Sequence, residues 1–200
     1  MGEQRIFVLA EEALKNVIDQ IDGGQWEQLV PSDFPTYQVD RRFTLREIVA
    51  YYAYDDAWVP DMLAGRTMEE AGKDKFDGDL LGGDPKGGVA EISRRACEAA
   101  ENLADEDLER TVHCSFGDFS AREYFWQINS FRALRAVDIA RVIGADETLP
   151  AELVQGIWDE ISPHAEQWRQ LGVYGPAVEV AGDAPLQERL LGLTGRRPRG

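Results

Sequence analysis

The sequence predicts an all-α protein, a four-helix bundle followed by a short helical C-terminal extension. Apolar side chains recur at helical spacing in four long segments of the first 147 residues. Two of these segments open with a Thr or Ser followed three residues later by Glu, which is the pattern of a capping box. Glycines follow the ends of three segments. The 200-residue length is sufficient for one self-supporting core.

The first two helices are predicted from their apolar stripes and their end signals. Residues 4–22 carry one such stripe, and Gly23 with Gly24 ends it. The second helix opens at the capping box of Thr44 and Glu47 and runs to Gly65. Because proline disrupts a helix interior, Pro60 predicts a kink or an early break there.

The third and fourth helices are separated by a short extended segment. A long glycine-rich connection leads to a helix over residues 88–104, and residues 111–116 then favour an extended segment that ends in a Gly-Asp turn. The capping box of Ser120 and Glu123 opens the fourth helix, predicted from Ala121 to Ile143.

The remaining residues predict a helical extension. A helix starts near Thr148, continues past Pro163 and ends near Leu171, and a last short helix covers residues 186–193. We therefore expect a bundle over residues 1–147, with an extension over residues 148–200 packed on it.

Composition restricts the classes of partner. A net charge of −16 repels phosphate backbones, so we expect no nucleic-acid partner. No apolar run approaches the ~18 residues of a membrane-spanning helix, so we expect no membrane partner. Cys97 and Cys114 are too few for a disulfide framework, which favours a cytoplasmic location.

Several short motifs in a fixed order resemble one family. They are Thr44–Glu47, Phe116–Asp118, Tyr124-Phe125-Trp126-Gln127 and the Asp-Ile-Ala-Arg-Val-Ile-Gly segment of residues 138–144. Together they are similar to the DinB-like group that includes mycothiol-dependent maleylpyruvate isomerases. The resemblance implies a four-helix bundle, a divalent metal, mycothiol as a thiol cofactor, and isomerase or transferase activity.

The chain departs from that family at the metal ligands. The resemblance implies His, Glu and His at three positions, where this chain has Tyr51, Phe131 and Arg135. Phenylalanine cannot bind a metal, and arginine stays protonated. We therefore expect no zinc or nickel site and no metal held by these three residues.

We expect a cavity where the family holds its metal. The predicted lining is Tyr51, Asp55, Phe131, Arg135 and Asp138, with Tyr52 beside them. Asp138 and Tyr51 are the candidate catalytic residues, and the other four are candidate ligand-binding residues. Arg135 either pairs with an internal carboxylate or receives a carboxylated ligand, since a guanidinium matches a carboxylate in two-pronged geometry.

Three functions stay open at this point. The first is a metal-free cavity that binds a small, carboxylated organic molecule and acts on it as an isomerase or transferase. We expect no cofactor for it, although the resemblance implies mycothiol. The second is a non-catalytic binding protein or homodimeric scaffold. The third is a metal- and mycothiol-dependent enzyme with unusual ligands, in which carboxylates such as Asp55, Asp56 and Asp138 hold magnesium or calcium.

Overall fold

The computed structural model describes residues 2–35, 41–115 and 117–199. This part of the chain is predominantly helical, which confirms the all-α prediction. It holds eight α-helices, a 3-10 helix (Asp105–Glu109) and two short strands. The helices are α1 Glu3–Ile18, α2 Leu45–Leu63, α3 Met68–Ala71, α4 Pro85–Glu101, α5 Ala121–Ile143, α6 Ala151–Ile161, α7 Ala165–Gln170 and α8 Leu186–Leu193.

The predicted capping boxes define the starts of α2 and α5. The Thr44 hydroxyl accepts from the Glu47 backbone N–H, and the Glu47 carboxylate accepts from Thr44 N at 2.8 Å. The Ser120 and Glu123 pair makes the same reciprocal contacts, with Ser120 N 2.9 Å from the carboxylate. Both predictions are confirmed. Each box satisfies backbone donors that the first helical turn leaves unpaired.

Some predicted boundaries are wrong. Of the kink or early break predicted at Pro60, the break does not occur, because α2 continues to Leu63. The helix predicted to cross Pro163 is instead two helices, because α6 ends at Ile161 and α7 begins at Ala165. Pro163 has no N–H to continue the backbone hydrogen bonds of the helix, which accounts for the end of α6 before it.

The predicted extended segment is one half of a hairpin. Strand β1 (Thr111–Cys114) pairs in antiparallel fashion with β2 (Gly117–Ser120), and Val112 lies opposite Phe119. Phe116, which carries part of the family resemblance, lies outside the described residues. Gly117 has φ of 142°, a conformation that suits glycine at the turn.

The long helices pack around two adjoining apolar clusters. Helix α1 lies against α5 and α4, and α2 also packs on α4. Helix α6 packs on α5 and α1, while α8 packs on α6. The larger cluster includes residues beyond position 148, such as Leu153, Ile157 and Leu190, so the C-terminal helices share a core with α1, α2 and α5. No helix of the described ranges is long and apolar enough to cross a bilayer.

The C-terminal segment is fixed to α5 by two buried polar contacts. Arg196 donates from Nε and Nη2 to the two carboxylate oxygens of Asp138, both at 2.8 Å. Nearer the start of α5, the Ser130 hydroxyl lies 3.0 Å from the Tyr174 hydroxyl. Asp138 is 4% exposed, so this two-pronged pair supplies the hydrogen bonds that water cannot reach to make.

We expect Arg196→Ala to lower the free energy of unfolding by about 3 kcal/mol, because it leaves a buried carboxylate with a weaker partner. Denaturant unfolding at neutral pH measures this change. Arg196→Lys should recover part of it. The matched control is the exposed neighbour Arg197→Ala, with an expected change within about 0.5 kcal/mol. Equal effects of the two alanine variants would contradict the structural role of Arg196.

Candidate functional site

A cavity of about 830 Å³ lies between α2, the hairpin, α5 and the α6–α7 region. It is lined mainly by aromatic and apolar side chains, with a few ionisable groups. The described lining is Tyr51, Tyr52, Tyr54, Asp55, Trp58, Met62, Met68, Cys114, Ser115, Phe119, Glu123, Tyr124, Trp126, Gln127, Ile128, Phe131, Arg132, Glu160, Ile161, His164, Gln167, Trp168, Leu171 and Val173.

The structure brings only some of the predicted site residues together. Tyr51, Tyr52, Asp55 and Phe131 line the cavity. Arg135 and Asp138 are not in its described lining. Arg135 instead contacts Tyr52 and Pro35, and Asp138 is paired with Arg196.

Arg135 is committed to partners inside the protein. Its Nε donates to the Tyr52 hydroxyl at 3.0 Å, and its Nη2 donates to the Pro35 carbonyl oxygen at 2.8 Å. Its Nη1 lies 3.6 Å from an Asp138 oxygen. The rings of Phe34 and Tyr52 flank the guanidinium at 4.6 and 5.2 Å from their centroids. Of the two predicted situations for Arg135, the geometry favours the internal pair.

Asp138 is also paired inside the protein and does not face the cavity. Both of its oxygens accept from Arg196, so neither is directed at the cavity as a general base. Its predicted catalytic role therefore receives no support from the geometry. This pair was not predicted, because a short basic segment such as residues 196–199 is usually solvated.

A buried charge cluster beside the cavity was not predicted. Arg132 of α5 donates to Glu11 of α1 and to Asp56 of α2, and its Nε lies 2.9 Å from an Asp56 oxygen. Its Nη1 donates to the Ile128 carbonyl oxygen at 3.1 Å. Ser93 of α4 donates to Glu11 at 2.9 Å. The sequence feature that could have indicated this cluster is Glu11, a carboxylate that follows Ala10 of the apolar stripe of α1.

Two carboxylates thus share one guanidinium away from water. Glu11, Asp56 and Arg132 are each at most 4% exposed. Burial, reinforced by the Asp56 carboxylate, raises the pKa of Glu11 to about 8. Burial likewise raises the pKa of Asp56. The cluster therefore holds a proton at neutral pH, which leaves it close to electrically neutral.

Asp55 is the carboxyl group of α2 that faces the cavity. Burial raises its pKa to about 6, while the charge of Arg132 opposes the rise. Among the described residues, no hydrogen bond or ion pair reaches its carboxyl group. A cavity-lining carboxyl with a pKa near neutrality is suited to gain or lose a proton during binding or catalysis.

Two further carboxyl groups border the cavity. Glu160 of α6 accepts from Asn129 Nδ2 at 3.0 Å through one oxygen, and its other oxygen is buried with no partner in the described ranges. Burial raises the pKa of Glu160 to about 8. Glu123 is used by the capping box, and the hydrogen bond from the Ser120 backbone lowers its pKa.

Aromatic rings form opposite walls of the cavity. On one side, Tyr54 and Trp58 meet edge to face with centroids 6.3 Å apart. On the other side, Phe131 and Trp168 lie 6.2 Å apart, and Trp168 stacks on Tyr174 at 5.7 Å. Such walls offer a flat, polarisable surface to an organic molecule.

The residues present do not fit the metal that the family resemblance implies. Phe131 lies against Trp168, and Arg135 is a cation with internal partners. The carboxylate alternative also fails on chemistry, because Asp56 and Asp138 are each held by a guanidinium. Across residues 2–35, 41–115 and 117–199, no group of three or more His, Cys, Asp or Glu is placed to hold a metal ion.

Comparison with models of known protein families, with curated proteins and with solved structures gives no match for this chain. The DinB-like resemblance therefore stays a prediction that rests on the motifs alone.

We expect the free energy of unfolding of the wild type to fall relative to Glu11→Gln as the pH rises from about 5 to about 8. The folded protein keeps a proton on Glu11 that the unfolded chain loses above its ordinary pKa of 4.5, so rising pH favours unfolding. The difference should change by at most about 1.4 kcal/mol per pH unit and level off above pH 8. Denaturant unfolding across this range measures it.

The matched control is Glu12→Gln, at the exposed neighbouring position. Its unfolding free energy should follow that of the wild type at every pH. A Glu11→Gln curve parallel to the wild-type curve would show that the pKa of Glu11 is not raised in the folded state.

Proposed function

We propose that this chain is a metal-independent protein, a four-helix bundle of the DinB-like kind, that binds a small organic molecule in the cavity between α2, α5 and α6–α7. The observation that carries the proposal is Asp55, a carboxyl group without a described partner, set in a large cavity with aromatic walls. Concave, largely apolar sites with a few convergent polar groups are the usual form of small-molecule sites.

The position of the cavity also supports the proposal. Its central walls come from α2 and α5, which are the two helices where the resemblance places the family's metal ligands. Tyr51 and Phe131, at two of those positions, both line the cavity. A binding site is retained in this proposal although the metal ligands are absent.

Asp55 is the acid–base group we propose for any isomerase or transferase reaction at this site. A proton shift needs one group that alternates between acid and base near neutral pH, and the raised pKa of Asp55 meets that requirement. Mycothiol enters this proposal only through the resemblance. A thiol cofactor would need a side chain that lowers the pKa of its thiol. Arg132 is not free for that role, because it is already paired with two carboxylates.

A scaffold function has one observation in its favour. Most of the large apolar side chains that are exposed in the described residues border this cavity: Tyr51, Trp126, Phe131, Leu171 and Val173. A second copy of the chain seated on this rim would form a homodimer. Light scattering coupled to size exclusion distinguishes the two functions, since ligand binding alone requires no dimer.

We expect indole, a neutral aromatic probe, to bind the wild type, and Gln127→Trp to weaken that binding because the added ring occupies part of the cavity. Saturation-transfer NMR with a titration of indole measures the binding. Gln127 makes no described side-chain hydrogen bond, so the substitution tests occupancy of the cavity and removes no polar contact.

The matched control is Gln155→Trp, on the exposed face of α6 and outside the described lining. It should bind indole as the wild type does. If the wild type does not bind indole, or if both variants bind it equally, the cavity is not a small-molecule site and the proposed function fails.

A further inference from the structure

We infer that the molecule bound in this cavity is an organic cation, a protonated or quaternary amine with an apolar body, and that Asp55 is its counter-charge. This inference rests on the proposed function and adds the charge of the ligand. It reverses the expectation of a carboxylated ligand, which depended on Arg135 facing the cavity.

The first argument concerns the cationic side chain of the lining. Arg132 is the arginine that borders the cavity in the part of the chain that the structure describes, and there is no lysine beside it. All three guanidinium nitrogens of Arg132 donate within the protein, to Glu11, Asp56 and the Ile128 carbonyl oxygen. A carboxylated ligand would therefore find no free guanidinium edge to bind.

The second argument concerns the negative groups. Asp55 faces the cavity without a described partner, and the capping carboxylate Glu123 also borders it. The Glu11–Asp56–Arg132 cluster carries no excess positive charge that could offset them. A bound carboxylate would meet like charges in a partly desolvated site, whereas an ammonium group would be paired by Asp55.

The third argument concerns the aromatic walls. A cation over the face of a Trp or Tyr ring is attracted by the ring quadrupole, and several such rings form the usual recognition site for quaternary ammonium groups. Tyr51, Tyr54 and Trp58 share helix α2 with Asp55, while Phe131 and Trp168 form the facing wall. Aromatic faces and a carboxyl group thus converge on one cavity.

Three probes of similar size and different charge test the inference: phenethylamine, phenethyl alcohol and phenylacetate. Their affinities for the wild-type protein are measured by isothermal titration calorimetry at neutral pH and constant ionic strength. We expect phenethylamine to bind at least about tenfold more tightly than phenylacetate, with the alcohol between them.

Asp55→Asn should reduce the preference for the amine over the alcohol by about tenfold. The matched control, Asp183→Asn, removes the same charge from an exposed position outside the cavity lining and should keep the wild-type preference. This control separates a local effect of Asp55 from the general attraction of cations by an acidic protein.

The wild-type comparison needs no variant to fold, so it can overturn the inference by itself. If phenylacetate binds as tightly as phenethylamine or more tightly, the ligand is not a cation, while indole binding still supports the cavity as a site. If Asp55→Asn and Asp183→Asn reduce the preference equally, Asp55 is not the counter-charge. If neither indole nor any of the three probes binds, the proposed function fails together with the inference.

Discussion

The buried guanidinium of Arg132 is the point on which the helical assembly depends. It lies on α5 and is held by Glu11 of α1 and Asp56 of α2, and Glu11 in turn accepts from Ser93 of α4. Four helices are therefore joined through one charge. Removing water from charged groups is costly, and only good geometry with further hydrogen bonds offsets that cost. The raised pKa of Glu11 reflects the same balance, because a shared proton removes the excess negative charge.

The cavity follows from the same cluster. Asp55 and Asp56 are adjacent in sequence, and successive positions on a helix point about 100° apart. Because Asp56 is fixed toward Arg132 in the interior, Asp55 is directed toward the space between α2, α5 and α7. The cluster also occupies the arginine that borders this space, and the remaining lining includes several aromatic rings and the Asp55 carboxyl group. A charge pair made for folding thereby determines the chemistry of the neighbouring site.

Local signals in the sequence were sufficient for most of the helices. The capping boxes at Thr44 and Ser120 involve residues three apart, so both could be recognised without tertiary information. The identity of the cavity lining at Tyr51, Asp55 and Phe131 followed from helical spacing together with the family resemblance. The partners of Arg135 and Asp138 could not be predicted in this way, because Pro35 and Arg196 are separated from them by long stretches of chain. Position along a helix indicates which face a side chain occupies, but long-range contacts decide which group it meets.

The pair between Asp138 and Arg196 has a consequence for the order in which the protein can be completed during synthesis. A ribosome releases Asp138 well before Arg196, since 58 residues separate them. During that interval α5 can form, because its cap and its turns are local, but its buried carboxylate lacks its main partner. The nascent chain therefore reaches its final packing only after the last helix has left the exit tunnel. Until then, the apolar face of α6 on which α8 later packs stays open to other molecules, including chaperones.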